Sequence, residues 1–435
     1  MAYHERFGGG GPALRPERCR LCGADLHRVF VDLGMSPLCE SFVAEEALDW
    51  GELTFPLRVM ACEFCLLVQL KAYVKPEEIF SDYAYFSSYS ASWVAHAKSY
   101  CGAIVAQLGL GRHSQVVEIA SNDGYLLQHF AALGVPALGV EPAMNVAQAA
   151  IEKGIETRVA FFGAALAREL VAEGRRADLI VGNNVLAQVP DLNDFVEGLV
   201  LLLKPEGLIT LEFPHLLRLI AEAQFDTIYH EHFSYFSLLV IEQIAARHQL
   251  RLVDVKELPT HGGSLRVHLV HAASRRPQTQ VVADLLARER AFGLDRVETY
   301  AGFAEQVRST KRSLLSLLIA LKDKGRSICG YGAPGKGNTL LNYCGIGTDF
   351  LDFTVDRNPH KHGRFTPGMH VPILPPEAIA LARPDYVLIL PWNLKHEIMD
   401  QMRDIASWGG RFIVPVPEPR IVDLRDMARS SEAAS

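Results

Sequence analysis

The densest group of side chains that could do chemistry is the run Tyr229, His230, Glu231 and His232. A histidine has a pKa suited to a general base near neutral pH. A tyrosine or a second histidine can donate to the oxyanion that forms when a carbon beside a ketone loses its proton. The run therefore predicts a site that removes a carbon-bound proton, with Glu231 orienting an imidazole or holding a substrate hydroxyl or amine.

A metal site or a structural polar cluster stays open as an alternative for the same run. His230 and His232, with Glu231 between them, could ligate a cation. If the segment is a strand, adjacent side chains point to opposite faces, so the two histidines would face one way and Glu231 the other. We therefore favour catalysis over metal binding here.

A second polar group follows the apolar run at 116–120, in the segment Glu118-Ile-Ala-Ser-Asn-Asp-Gly124. The chain must turn sharply there, and Gly124 leaves room for a ligand. A dinucleotide site would have three glycines in this turn, whereas this turn has one glycine and several polar side chains. The pattern favours S-adenosylmethionine as the ligand. A Rossmann-like domain with another ligand stays open as the alternative. The predicted donor residues are Glu118, Ala120, Ser121, Asn122, Asp123, Gly124, Glu141, Asn183 and Asn184.

Two Cys-x-x-Cys pairs, Cys19/Cys22 and Cys62/Cys65, lie near the N-terminus. Four thiolates in two short loops form a closed tetrahedral set that suits structural Zn²⁺. Free thiols are the plain alternative, and a redox pair is disfavoured because that motif should open a helix in a βαβ unit. We predict a zinc ribbon with a long insertion.

The segment Gly330-Tyr-Gly-Ala-Pro-Gly-Lys-Gly-Asn338 is typical of a turn that holds phosphate between a strand and a helix. It is not a nucleoside-triphosphate loop, because Gly337 stands where Ser or Thr would hold magnesium. We predict that it grips a phosphorylated or nucleotidylated part of the acceptor. A degenerate duplicate with a purely structural role stays open.

An aromatic and hydroxyl-rich segment, Phe80 to Tyr89, joins the cysteine region to a helix beginning near Trp93. Such a segment could close over a substrate as a lid. An aromatic linker packed on the core explains it equally well.

Alternating strands and helices must position these groups. Apolar strands at 116–120, 137–141, 177–183 and 207–213 predict a mostly parallel, doubly wound sheet whose carboxyl ends carry the ligand. Strands at 251–258 and 264–271, joined through Gly262-Gly263, predict a closing hairpin with one antiparallel strand. Strands at 327–331, 353–356, 386–391 and 411–415 predict a second α/β sheet after a helical stretch at 295–324. The fold class is α/β, a class I methyltransferase Rossmann-like sheet flanked by a small zinc-binding domain and a C-terminal Rossmann-like domain.

Bulk composition excludes several classes of protein. The 435 residues carry a formal net charge of −7, which argues against a strong positive field for nucleic acid. The sequence contains no run of 18 or more apolar residues, so we expect no membrane span. The N-terminus has no secretory pattern. We expect a cytoplasmic protein, a monomer or weak oligomer, with domains at 14–78, 79–290 and 291–425.

Together these motifs resemble the sugar C-methyltransferases that act on nucleoside-diphosphate-linked 4-keto deoxyhexoses in antibiotic deoxysugar pathways. The resemblance extends from Cys19 to about Pro417 and includes Asn183-Asn-Val-Leu-Ala, Tyr229-His-Glu-His232 and His261-Gly-Gly-Ser-Leu-Arg266. It implies that His232 is the base that removes the proton beside the keto group. It implies that Tyr83 and Glu231 contact the sugar, that Tyr229 lies in the same wall, and that the product is inverted at that carbon.

The resemblance also implies a nucleotide-sugar site, with thymidine diphosphate preferred and carbon 3 favoured over carbon 5. Its expected residues are His261, Gly262, Arg266, Tyr331, Gly332, Lys336, Asn338, Asp356 and Arg357. Gln188 stands where the family usually has a histidine. Gly335 stands where the family commonly has a small residue that is larger than glycine. Gln188 can hydrogen-bond a sugar oxygen but cannot exchange a proton near neutral pH. An O- or N-methyltransferase, or a nucleotide-sugar-binding protein with a decayed donor site, stays as a competing interpretation.

Overall fold

The computed structural model describes residues 17–81 and 86–424. Its strands are β1 (Arg28–Ser36), β2 (Val43–Ala44), β3 (Phe55–Ala61), β4 (Val68–Leu70), β5 (Val116–Ile119), β6 (Ala137–Val140), β7 (Thr157–Arg158), β8 (Ala177–Asn183), β9 (Leu203–Pro214), β10 (Ser234–Tyr235), β11 (Leu250–Leu258), β12 (Ser264–His271), β13 (Ile328–Tyr331), β14 (Thr354–Val355), β15 (Arg364–Phe365), β16 (Ile373–Leu374), β17 (Tyr386–Ile389), β18 (Arg411–Val414) and β19 (Arg420–Val422).

The helices alternate with these strands over most of the chain. They are α1 (Pro76–Phe80), α2 (Ala91–Leu108), α3 (Leu127–Ala132), α4 (Met144–Glu152), α5 (Ala164–Ala172), α6 (Leu192–Leu202), α7 (Leu216–Ala221), α8 (Leu238–Arg247), α9 (Gln280–Phe292), α10 (Val297–Ala301), α11 (Phe303–Lys322), α12 (Gly335–Cys344), α13 (Glu377–Ala382) and α14 (Lys395–Gln401). Single 3₁₀ turns occur at Glu45–Ala47, Ser87–Tyr89, Leu186–Gln188, Phe225–Thr227, Thr260–Gly262, Pro359–Lys361, Trp392–Leu394 and Arg403–Trp408.

The central sheet has the order β11-β12-β9-β8-β5-β6-β7. Strands β5, β6, β7, β8 and β9 pair in parallel, whereas β12 runs antiparallel to both β9 and β11. Strand β5 is buried at all four positions, as expected for a strand covered on both faces. The predicted doubly wound sheet with one antiparallel strand is confirmed. The predicted sharp turn is present, since Gly124 has a φ of +76° and α3 begins after it, at Leu127.

The N-terminal sheet is antiparallel in the order β1-β3-β4-β10. Its last strand, β10, comes from the middle of the chain and follows the Tyr229–His232 run directly. The Leu70 N–H also donates to the Phe233 carbonyl at 2.9 Å. The cysteine domain therefore takes a strand from the segment that carries the candidate base.

The C-terminal sheet has the order β16-β14-β13-β17-β18-β19, parallel except for β19. The two-stranded pair β2–β15 joins it to the N-terminal region. The rings of Phe30 in β1 and Phe303 in α11 stack with centroids 4.5 Å apart, within one continuous hydrophobic core. Because the sheets exchange elements in this way, the domain limits 14–78, 79–290 and 291–425 stay a prediction.

Within the two described ranges, no helix is both long enough and apolar enough to cross a lipid bilayer.

Candidate active site

A cavity of about 710 Å³ opens at the carboxyl ends of β5, β6 and β8, with walls from all three parts of the chain. It brings together most of the predicted site residues: Ala120, Asn122, Glu141, Asn183, Asn184, Gln188, Tyr229, Glu231, His232, His261, Tyr331, Gly332, Lys336, Asp356 and Arg357. Other predicted residues are not part of this lining, the four cysteines form a separate cluster, and Tyr83 falls outside the described residues.

The turn after β5 is held in an unusual conformation. Ala120 and Asn122 have φ angles of 57° and 50°, in the left-handed region that side chains other than glycine rarely adopt. Asn184 (φ 57°) and His261 (φ 54°) share this conformation and also line the cavity. Such backbone outliers persist only where surrounding contacts enforce them, and they cluster at functional sites.

Glu141 holds this turn from the end of β6. Its Oε2 accepts from the Asn122 N–H and its Oε1 from the Ala143 N–H, both at 2.9 Å. Burial raises the pKa of this carboxyl above its ordinary value. Each oxygen keeps a second lone pair, so the carboxylate can still accept hydroxyl groups from a ligand.

Several buried acceptors around the turn have no hydrogen-bond partner within the described part of the chain. They are Ser121 Oγ, Asp123 Oδ1 and Asn184 Oδ1. Burial, followed by the charges of Glu141 and Asp123, raises the pKa of Glu118. Buried polar atoms in native proteins are normally paired. The unpaired acceptors fit a ligand rich in donors and positive charge, such as the amino-acid end of S-adenosylmethionine.

The Tyr229–His232 run is a tight turn, so the strand geometry considered for it, with Glu231 facing away from both histidines, does not apply. The His232 N–H donates to the Tyr229 carbonyl at 2.9 Å. As a result, Glu231 and His232 both line the cavity, while the His230 ring lies 3.3 Å from the Pro56 carbonyl and packs edge-on against Phe55. Across residues 17–81 and 86–424, the His/Cys/Asp/Glu group placed to hold a metal is the N-terminal cysteine cluster, not these histidines.

One ring nitrogen of His232 is fixed by the backbone. Its Nδ1 lies 3.0 Å from the Thr227 carbonyl, which can only accept, so Nδ1 carries the proton and Nε2 keeps a free lone pair. Burial lowers the pKa of His232 to about 4, with smaller effects from the charges of His261 and Lys336. The Tyr229 ring packs against the imidazole with centroids 4.1 Å apart. The ring is therefore neutral and oriented, as a proton acceptor must be.

The C-terminal wall carries a half-buried cation. Lys336 Nζ donates to Asn393 Oδ1 at 2.9 Å and lies 5.0 Å from the centroid of the Trp392 ring. The Trp392 Nε1–H donates to Asp226 at 2.6 Å, and burial raises the pKa of that carboxyl to about 6. Burial also lowers the pKa of Lys336. This wall can hold an anionic group in a dry environment.

Other C-terminal residues shape the loop. Asp356 accepts from the Ala333 N–H at 2.7 Å and from the Asn358 N–H at 2.8 Å. At Gly332 the φ is +86°, and a Cβ would lie 2.6 Å from Pro391, so only glycine fits. Arg357 is exposed and lies 3.6 Å from Glu397.

Three residues predicted to bind substrate lie outside the cavity lining. Arg266 forms a buried ion pair with Glu212 at 2.6 Å and covers the Tyr100 ring. Asn338 is buried and donates to the Cys39 carbonyl at 2.5 Å. The carbonyl of Gly262 accepts from Gln224 at 2.8 Å. These contacts support the walls rather than the ligand.

The sequence offered little signal for some cavity residues. Cys39 and Glu40, from the loop after β1, line the cavity but belong to no motif. The described ends of the aromatic segment contact the donor turn, since the Ser87 N–H donates to Asn122 Oδ1 at 2.8 Å. Tyr89 reaches His360 at 3.5 Å. The sequence signal for these contacts was the richness of the aromatic segment in hydroxyl groups.

The four cysteines fit a tetrahedral metal. Their Sγ atoms all lie within 4.8 Å of one another, with Cys19–Cys65 at 3.4 Å and Cys22–Cys62 at 3.6 Å. Zn–S bonds of about 2.3 Å in a tetrahedron place sulfurs roughly 3.8 Å apart. Hydrogen bonds from neighbouring thiols lower the pKa of Cys19 and raise that of Cys65. Thiols this close together lose one proton readily, but further deprotonation would place negative charges side by side. A divalent cation offsets that repulsion.

Sheet order, donor turn and cysteine cluster together define an S-adenosylmethionine-dependent methyltransferase with a structural zinc site. Three family models match the chain: "Putative zinc binding domain" at 19–80, "Methyltransferase domain" at 93–255 and "C-methyltransferase C-terminal domain" at 259–417. C-methyltransferase NovU of Streptomyces niveus is 38% identical over 413 residues, which is 94% of this chain and 98% of that protein. The chain belongs to this C-methyltransferase family.

Solved structures with some likeness to part of this chain include the following two. Magnesium protoporphyrin IX methyltransferase of Synechocystis PCC 6803, solved with bound SAM, is 16% identical over 41% of this chain and 81% of its own, with a TM-score of 0.31. The PH0226 protein of Pyrococcus horikoshii OT3 is 15% identical over 46% of this chain and 99% of its own, with a TM-score of 0.36.

Proposed function

We propose that this enzyme methylates the carbon next to the ketone of a nucleoside-diphosphate-linked 4-keto deoxyhexose. Thymidine diphosphate is the expected nucleotide, and carbon 3 is favoured over carbon 5. Membership of the C-methyltransferase family supports transfer to carbon. A 4-keto sugar supplies a carbon whose proton becomes acidic once the enolate oxygen is stabilised.

The observation that carries the proposal is the state of His232. Its Nδ1–H is committed to the Thr227 carbonyl, so the lone pair of Nε2 serves a cavity that also contains the donor turn and the C-terminal loop. Nε2 takes the proton from the substrate carbon, and the electron pair of that C–H bond moves into the enolate. General-base catalysis of this kind contributes on the order of 10²–10⁴-fold.

Neighbouring residues stabilise the enolate and orient the sugar. Burial raises the pKa of Tyr229, so its phenol stays protonated and can donate to the developing oxyanion. Glu231 and Gln188 line the cavity beside the base and hold sugar oxygens or an amine. Tyr83 remains part of the proposed sugar site, although it lies outside the described residues.

Different walls of the cavity would hold the methyl donor and the nucleotide. S-adenosylmethionine, when bound, supplies an electrophilic methyl group. Glu141 would hold its ribose, and Glu118, Asp123 and Asn184 its amino-acid end. Lys336, Tyr331 and Arg357 would hold the diphosphate and nucleoside of the acceptor. An O- or N-methyltransferase would need less base chemistry and would leave the Tyr229–His232 run unexplained, which is why we favour carbon.

We also propose domain limits of 14–78, 79–290 and 291–425 and a reducing, cytoplasmic setting, which keeps the four cysteines available for zinc. A monomer or weak oligomer is expected.

Deuterium exchange tests the base directly. The enzyme is incubated in D₂O with a keto-sugar nucleotide and an unreactive donor analogue, and mass spectrometry follows deuterium at the carbon beside the ketone. His232→Asn should exchange at least about 100-fold more slowly than wild type. His230→Asn is the matched control, because that ring faces Pro56, and it should keep most of the exchange. Exchange at the wild-type rate in His232→Asn would refute the assignment.

A further inference from the structure

Cys39 lies in the loop after β1 and is fixed from another part of the chain. Asn338, at the start of α12, donates to its carbonyl at 2.5 Å. The Cys39 side chain is 4% exposed and borders the active-site cavity. A cysteine from the zinc-binding region therefore reaches the site without belonging to the metal cluster.

The thiol of Cys39 contacts a proposed site residue. Its Sγ lies 3.4 Å from Glu231 Oε1, within hydrogen-bonding reach for sulfur. A carboxylate accepts only, so the S–H is the donor. Glu231 also lines the cavity and directly precedes His232.

The environment keeps this thiol protonated. Burial, followed by the charges of Glu231 and Glu40, raises the pKa of Cys39 well above its ordinary value. Thiolates, not thiols, are nucleophiles and metal ligands. Cys39 is therefore suited to donating a hydrogen bond and not to covalent chemistry.

Gly335 makes space for this contact. A Cβ at Gly335 would lie 2.9 Å from Cys39 Sγ, closer than side-chain carbons normally approach. Its backbone does not lie in the left-handed region, so glycine is needed there for space and not for conformation. The glycine-rich loop and the Cys39 thiol are thus fitted to each other.

We propose that Cys39 is a positioning residue that holds the Glu231 carboxylate toward the substrate, so that the zinc-binding region contributes directly to the active site. The inference rests on the proposed function, because it gives Glu231 a role at the sugar. Loss of the thiol donor should weaken the hold on the Glu231 carboxylate, which lowers turnover without disturbing the donor turn.

The test compares Cys39→Ser, Cys39→Ala and Glu231→Gln in the full-length, zinc-loaded protein. Cys39→Ala should lower kcat and deuterium exchange by about 3- to 10-fold, as expected for a weak donor to a charged group. The KM for S-adenosylmethionine should stay within about twofold. Cys39→Ser keeps a hydroxyl donor and should retain most of the activity. Cys101→Ala is the control, because that buried thiol contacts the Leu126 carbonyl at 3.7 Å, outside the cavity.

A double variant tests the fit to Gly335. Gly335→Ala should impair the wild-type background, where the new Cβ meets Sγ, but should add little to Cys39→Ala, where sulfur is absent. Equal impairment of Cys39→Ser and Cys39→Ala would show a packing role and overturn the proposal. The proposal would also be overturned if Cys39→Ala exchanged deuterium at the wild-type rate while Glu231→Gln lost most of its exchange. If Glu231→Gln itself exchanges at the wild-type rate, the proposed sugar site fails, and the role of Cys39 fails with it.

Discussion

Glu141→Gln probes the methyl-donor site with the smallest change of shape. Each Glu141 oxygen accepts one backbone N–H at 2.9 Å, from Asn122 and Ala143. The amide keeps one acceptor but presents an NH₂ group to the other N–H, so one charge-assisted hydrogen bond becomes a contact between two donors. Hydrogen bonds to charged groups contribute about 1.5–3 kcal/mol. The ribose hydroxyls of the donor would also lose their ionised acceptor.

We expect S-adenosylmethionine to bind Glu141→Gln about 10- to 100-fold more weakly, since about 1.4 kcal/mol corresponds to a factor of ten. Calorimetric titration with S-adenosylhomocysteine measures this affinity without turnover. At saturating donor, kcat should recover to within about threefold, because the base is untouched. Glu152→Gln is the control, since that side chain is exposed and accepts a hydrogen bond from Gln148 at 3.2 Å on the surface of α4. An affinity within twofold of wild type in a folded Glu141→Gln protein would refute the placement of the ribose.

Two further predictions concern the zinc cluster and pH. Removing the metal with a chelator should slow deuterium exchange by at least about tenfold while donor affinity changes by less than about threefold, because β10 pairs with the cysteine sheet and the donor turn does not. Equal loss of both would contradict this separation. Burial lowers the pKa of His232, His261 and His268 to about 4. The unfolded histidines titrate near 6.5, so the unfolded state takes up protons first and stability is lost as pH falls from about 6.5 to about 4. Urea unfolding at pH 7.5 and at pH 5 measures how much of the free energy of unfolding is lost between the two. That loss should be smaller in His268→Gln than in wild type, by about 1–3 kcal/mol. An identical pH dependence would show that His268 is not buried in its neutral form.

Local pattern predicted the elements that depend on burial and spacing. The strands 177–183 and 264–271 coincide with β8 and β12, because a short apolar run in the first and a mostly alternating apolar and polar pattern in the second, each next to turn residues, leave few other structures open. The cysteine cluster followed from ligand spacing alone. The position of Glu141 at the carboxyl end of β6 could be predicted from the order of the strands.

The sequence could not show what depends on contacts between distant segments. The run at Tyr229 to His232 has the alternation of a strand, but the pairing of β10 with β4 and the Thr227 contact to His232 bend it into a turn. The predicted opposition of Glu231 and His232 failed for this reason. Arg266 looked like a substrate ligand because of its neighbours in sequence, yet its partner is Glu212, across β12 and β9.

The zinc-binding region is best understood as part of the catalytic wall. Arg20 lies between two zinc-cluster cysteines, donates to the Leu70 and Pro190 carbonyls, and covers the Phe233 ring at 5.5 Å. The Phe233 N–H in turn donates to the Ala187 carbonyl at 2.7 Å, beside Gln188. These contacts fix the chain directly after His232 from the metal side, while the Thr227 carbonyl fixes its ring from the other. A histidine on a connecting segment is thereby held between a metal-clamped sheet and a Rossmann-like sheet, which gives a loop residue the rigidity that proton transfer from carbon requires.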